Sequence, residues 1–167
     1  MTLAGRSTPP VSSLAPSSIA DWISPRILSA IDEGAKLETG GVDLPSNVNR
    51  GYYIQPTVFS GVTPNMRIAQ EETFGPVATI MPYDSLEQGI EIANDTAYGL
   101  SAAITGDPAK AADVAPKLKA GIVAINNWGP APGMPFGGYK QSGNGREGGL
   151  FGLKDFMEVK AISGLPA

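Results

Sequence analysis

Residues 77–125 read VATIMPYDSLEQGIEIANDTAYGLSAAITGDPAKAADVAPKLKAGIVAI, and the alternation inside this stretch decides the fold class. Val77–Met81 is a short apolar run of buried-strand type. Ser85 opens a helix over 85–95: it is an N-cap residue, and Gln88 three positions later completes a capping-box spacing. Leu86, Ile90 and Ala93 fall on one face of that helix. Gly99 precedes an apolar strand, Leu100–Ile104. Asp107 and Pro108 form an N-cap and first-position pair for a helix over 108–119. Pro116 should kink or shorten it, because a proline inside a straight helix costs about 3 kcal/mol. Gly121–Ile125 is a further apolar strand. This order predicts an α/β fold with a mainly parallel sheet and flanking helices, in which 77–81, 100–104 and 121–125 share one sheet through right-handed crossovers.

Working outward, Ser24-Pro25 reads as the start of a helix over 24–33, with Ile27, Leu28 and Ile31 on one face. A short strand near Ala35–Glu38 follows, then Gly40-Gly41 and a polar loop. Tyr52–Phe59 is rich in β-branched and aromatic residues and reads as a strand, with Pro56 placing it at a sheet edge. Downstream, a Gly/Pro loop runs from Asn126 to Gly149. A last strand, Phe156–Ile162, alternates Met157, Val159 and Ala161 with Glu158 and Lys160. Residues 1–20 are rich in Ser and Pro, carry one charge and no aromatic residue, and read as a flexible or extended lead-in. The expected organisation is a lead-in over 1–22, a folded body over 23–153 and a terminal strand and tail over 154–167.

Composition removes several function classes. The 167 residues include 12 basic and 16 acidic side chains, a net charge of −4, which does not favour nucleic acid or an anionic membrane surface as a partner. No apolar run approaches the roughly 18 residues of a membrane span. Pro9-Pro10 breaks the region where a secretory leader would need its apolar core, so a cytoplasmic location is expected. There is no cysteine and no histidine. Disulfides, thiolate chemistry and imidazole-based catalysis by this chain are thereby excluded. Ten of the 21 glycines fall between Gly121 and Gly152, which marks one special loop.

Four motifs carry possible chemistry. Gly143-Asn144-Gly145-Arg146-Glu147-Gly148 matches G-x-G-x-x-G literally. It lacks the preceding strand, the long following helix and the acidic residue about 20 positions on, so a dinucleotide fingerprint is rejected. Asn94-Asp95-Thr96 is a glycosylation sequon at a helix end and reads as a chance match. Glu71-Glu72-Thr73-Phe74-Gly75-Pro76 has two readings. One is a carboxylate that accepts from hydroxyl groups beside an aromatic wall. The other is a solvated acidic pair with Phe74 in the core. The loop 126–149 exceeds the roughly 12–15 residues usual for an idle connection. It holds Trp128, Met134, Phe136 and Tyr139, and reads equally as a pocket wall or as a loop packed on itself.

Together these segments resemble the NAD(P)-dependent aldehyde dehydrogenase superfamily. The matching pieces are EGAKLETGG at 33–41, GYYIQPTVF at 51–59, TPNMRIAQEETFGPV at 63–77, ANDTAYGLSAAI at 93–104, KAGIVAINNW at 119–128, PFGGYKQSGNGREGG at 135–149 and FMEVKAI at 156–162. EETFGP and PFGGYKQSG in this order are highly specific. The resemblance covers about residues 23–163 and corresponds to roughly the last third of a full-length member. It implies that 23–153 is part of the family's catalytic domain and that 154–167 holds an oligomerisation strand. It implies that Glu72 bonds the nicotinamide ribose, that Phe74 lies beside the nicotinamide, that Phe136 borders the aldehyde channel and that Trp128 shapes the substrate pocket.

The departures matter as much. The family attacks its aldehyde with a cysteine thiolate, stabilises the oxyanion with an Asn side chain and a backbone N–H, and uses a Glu as general base. These groups, and the dinucleotide domain, lie upstream of the matched region. Residues 1–22 do not resemble the cysteine segment, and Ser142 and Lys140 have no identifiable base. The expectation is an aldehyde dehydrogenase-like chain, truncated and inactive alone, that holds neither NAD nor NADP tightly. The alternative is a non-catalytic interaction module. Self-association, or association with a complementary or full-length aldehyde dehydrogenase subunit, is the expected partnership.

Overall fold

A computed structural model of the chain describes residues 16–164 apart from 47, 49–52 and 130, and describes residues 16–21 by their backbone alone. Residues 1–15 of the lead-in expected over 1–22, the first residue of the strand read from Tyr52, and the last residues of the tail lie outside the described residues.

Helix α1 runs Pro16–Asp32, so it begins upstream of Ser24 and carries Pro25 inside it. Ser24 therefore caps nothing, and the stretch 16–22 is helix. A proline inside a helix removes one hydrogen bond. Neighbouring residues tie the same turn: the Arg26 guanidinium lies 3.5 Å from the Trp22 ring centre, and its Nη1 donates to the Trp22 carbonyl at 3.0 Å. Ile23, Ile27 and Ala30 on the buried face are at most 1% exposed. Burying an isoleucine is worth about 1.5–3 kcal/mol, enough to hold the helix through its proline.

Strand β1 (Lys36–Thr39) pairs antiparallel with β2 (Thr57–Ser60). After the single turn α2 (Arg67–Gln70), strand β3 (Val77–Thr79) pairs parallel with the other side of β2. Thus β2 is central, not an edge as Pro56 suggested. The proline stands just before the first ladder residue, where its missing N–H costs the sheet nothing. Phe59 of β2 is fully buried and packs with Ile23, Ile27, Ala30, Ala35, Val62, Met66 and Ile68 in a first core.

The second core follows. Helix α3 (Leu86–Asn94) is capped as its spacing predicts: Ser85 Oγ accepts from the Gln88 N–H at 3.1 Å, while Gln88 Oε1 accepts from the Asp84 N–H at 2.6 Å. Strand β4 (Tyr98–Gly99) leads into β5 (Ser101–Ile104). Asp107 caps α4 (Pro108–Val114) by accepting from the Lys110 N–H at 3.0 Å, and Pro116 ends α4 in a 3-10 turn over Ala115–Lys117. Strand β6 (Ile122–Ile125) pairs parallel with β5 in register from Ser101↔Ile122 to Ile104↔Ile125. Ile104, Ala111, Val114 and Leu118 are the buried residues here.

The fold is α/β, but the single mainly parallel sheet is not formed. β1–β2–β3, β4–β7 and β5–β6 are separate small sheets with parallel and antiparallel pairings, β7 being Tyr139–Lys140. β3 does not join β5, and its residues are half-buried or exposed rather than core. The chain ends in a short helix α5 (Gly149–Lys154). The strand expected over 156–162 is not formed: a strand needs a ladder partner, and no described segment pairs with it. Val159 is 96% exposed there. No described helix is long and apolar enough to cross a membrane.

Candidate functional site

The two acids after α2 have different fates. Glu71 ends α2, its N–H donating to the Arg67 carbonyl at 2.9 Å. Its carboxylate accepts from Arg67 Nε at 2.8 Å and from Arg26 Nη2 at 3.2 Å. The hydrogen bond from Arg67, aided by the charges of Arg67 and Arg26, holds the Glu71 carboxyl below the usual glutamate range, and the same bond raises Arg67. Glu72 is exposed, and among the described residues its carboxylate has no hydrogen bond or ion pair. The acidic pair is thus one structural anchor and one open acceptor.

Phe74 is not in the core: it is 66% exposed. Its backbone lies in the left-handed region at φ 53°, which costs an L-residue roughly 1–2 kcal/mol. A Cβ added at Gly75 would meet the end of the Ile23 side chain of α1, so a larger residue there requires Ile23 to shift within the core. Beyond it the Thr57 N–H donates to the Pro76 carbonyl at 2.8 Å, which ties the turn to the central strand.

The loop after β6 begins with two more left-handed residues, Asn126 (φ 50°) and Asn127 (φ 63°). Asn tolerates this conformation. The Asn126 side chain secures it, accepting from the Gly106 N–H at 2.9 Å and donating to the Gly106 carbonyl at 3.1 Å. Trp128 follows and is 81% exposed. Further on, Phe136 and Glu147 exchange two backbone hydrogen bonds of 2.7 Å each. Arg146 Nη1 donates to the Gly138 carbonyl at 2.9 Å, and Lys140 Nζ donates to the carbonyls of Asn94 and Thr96 at 2.8 Å each. The loop backbone is packed on itself, while the side chains of Trp128 and Phe136 stay open.

Glu72 and Phe74 share one turn, while Trp128 and Phe136 stand on the 126–149 loop. Among the described residues no hydrogen bond or ion pair joins the two pairs. A groove of about 870 Å³ lies elsewhere, between the 61–64 loop, Met81 and α3, and none of the four lines it. No cluster of metal-ligating residues occurs among the described residues.

The sequence model of the aldehyde dehydrogenase family matches residues 7–162. The chain belongs to the aldehyde dehydrogenase family. The match starts upstream of the segments quoted above and takes in α1 whole. A putative aldehyde dehydrogenase of Staphylococcus haemolyticus is 48% identical over 145 residues, which are 86% of this chain and 30% of that protein. Among solved structures, an aldehyde dehydrogenase from Bartonella henselae superimposes with a TM-score of 0.84 at 46% identity, covering 93% of this chain and 32% of that one. An aldehyde dehydrogenase C mutant from Pseudomonas syringae, in complex with NAD+ and octanal, gives 0.82 at 44% identity, covering 87% and 30%. The chain therefore spans about a third of the length of the aldehyde dehydrogenases it matches.

One residue was missed by reading the sequence of this aldehyde dehydrogenase family member. Arg26 is 8% exposed and connects α1 to Glu71. The only local signal was Trp22 four residues before it, a spacing that lets a guanidinium cover an indole.

Proposed function

We propose that this chain forms the C-terminal third of an NAD(P)-dependent, aldehyde-oxidising catalytic unit, contributing one end of the cofactor site and one wall of the aldehyde channel. The observation that carries this is the open Glu72 carboxylate on a turn that also holds Phe74 exposed in a strained backbone. Glu72 suits the ribose hydroxyls, because an ionised carboxylate accepts from both members of a diol. Phe74 offers a flat apolar face to a planar ring. The cofactor, when bound, supplies the hydride acceptor. Trp128 and Phe136 would line the approach of the aldehyde and shield it from water.

The 167 residues hold no cysteine, so the nucleophile has to come from polypeptide outside this sequence. The reading is that of a truncated or split chain acting in the cytoplasm, where a thiolate stays reduced. NAD(P) should not bind it tightly, since contacts at one end of a cofactor hardly offset the 4 kcal/mol or more of lost freedom. The test is reconstitution. This chain, combined with the complementary part of the Staphylococcus haemolyticus relative, should produce NADH from aldehydes, and neither piece alone should. In the reconstituted enzyme Glu72→Gln should raise the cofactor KM about tenfold, the loss of one charge-assisted hydrogen bond. Turnover by the chain alone, or an unchanged KM, sinks the reading.

A second reading, an interaction module, is favoured by one feature. Phe156, Val159 and Ile162 are 89%, 96% and 69% exposed on an unpaired segment. Such a segment suits strand addition to a second copy or to an intact relative. Association with a relative that leaves its activity unchanged would favour this reading over the first.

A further inference from the structure

We infer that Arg26 is a positioning residue for Glu72 and Phe74, holding Glu71 against α1 while Gly75 seats on Ile23 of the same helix, so that both ends of the turn are pinned to one helical face. The functional consequence rests on the roles proposed above for Glu72 and Phe74; the pinning does not.

Ile23 and Arg26 are three residues apart in α1 and so lie on one face. Ile23 is 1% exposed, and its terminal methyl lies where a Cβ at position 75 would stand, so the Gly75 backbone sits directly on it. Arg26 reaches Glu71, four residues earlier in the turn, at 3.2 Å. Between these two pins the chain has to turn within Glu72, Thr73 and Phe74, and Phe74 takes φ 53°. A strained backbone of this kind persists only where its surroundings over-determine it.

Arg26 is well suited to the task. Its side chain is 9% exposed, its guanidinium is held on Trp22 by the ring and the carbonyl, and its Nε is buried without a hydrogen-bond partner. Among the described residues, the guanidinium is therefore oriented by Trp22 and Glu71. Arg67 also binds Glu71, but it lies four residues away on the same local turn and is half exposed. Its link to the end of α1 is its backbone N–H on Glu33 at 2.7 Å, which a side-chain substitution keeps, and its side chain contributes little as a surface pair.

The experiment uses the full chain labelled for NMR. The backbone shifts of Phe74 report its left-handed φ, and hydrogen exchange of the Val77 amide, bonded to the Gly75 carbonyl at 2.8 Å, reports the turn. Arg26→Met and Glu71→Ala should both move the Phe74 shifts out of the left-handed range and speed Val77 exchange about tenfold, as local opening requires. Arg26→Lys should restore most of the wild-type pattern, and Arg67→Met should leave it in place. Amides of β5, in the second core, should not change in any variant. Should Arg26→Met fail to fold, Glu71→Ala decides, because Glu71 is exposed and outside both cores. Unchanged Phe74 shifts in Glu71→Ala, or β5 amides that change as much as Val77, overturn the proposal. A failed reconstitution with these NMR results intact would sink the cofactor reading and leave the positioning role standing.

Discussion

Phe74 pairs a strained backbone with an exposed side chain, which makes its stability cost separable from its use. Phe74→Gly should raise stability by up to about 1 kcal/mol in urea unfolding, since strain is relieved and little burial is lost. The same change removes the aromatic face and should weaken cofactor use in the reconstituted enzyme. Thr57 shows the opposite balance. It is 1% exposed, and its Oγ1 accepts from the Gly41 N–H at 3.0 Å and donates to the Gln55 carbonyl at 2.9 Å. Thr57→Val keeps the shape and strands both partners, so a loss of about 1–3 kcal/mol is expected in the same measurement.

At the scale of elements, caps and latches are the parts to test. Ser85→Ala removes the α3 cap and should cost about 1 kcal/mol by denaturant midpoint. The α1–α2 latch is acid-sensitive. Glu33 accepts from Ser29 Oγ at 2.6 Å and from the Arg67 N–H at 2.7 Å, and these bonds, with that of Ser29 the larger influence, lower its pKa from 4.5. Glu71 is lowered from the same value, chiefly by Arg67. A lowered folded pKa stabilises above the unfolded value and is lost as pH falls through the folded one. The denaturant midpoint should therefore hold above 4.5 and drop below it, and Glu33→Gln with Glu71→Gln should flatten that drop. The caps of α3 and α4 and the stop at Pro116 were legible because each is local chemistry at fixed spacing. The start of α1 was not, because Ser24-Pro25 has the form of a helix opening and only burial of Ile23 and Ile27 shows that the helix runs through it. EETFGP drew attention to Glu72 and Phe74, and both stand exposed on one turn. Arg26 was not legible, because its partner lies 45 residues away.

At the scale of the molecule, strand alternation predicted the class and the parallel pairing of 100–104 with 121–125, but not the partner of 77–81, because an apolar run does not say which neighbour it will bond. β3 chose β2, and β5 chose β6. Much apolar surface is left open, with Trp128, Leu150, Phe156 and Val159 each at least 75% exposed. Open apolar surface and unpaired backbone promote association. Size-exclusion chromatography with light scattering should show mass rising with concentration, and deleting residues 155–167 should reduce it; a monomer at all micromolar concentrations would contradict this. The two cores have a kinetic consequence of their own. The first draws its buried residues from positions 23–68 and the second from 104–118, two stretches that do not interleave. Neither needs the other's chain segment to close, so each can nucleate on its own, and during synthesis the first can be complete before the second has been made. Refolding should then show two relaxations, with Phe59→Ala slowing or abolishing one and Val114→Ala the other.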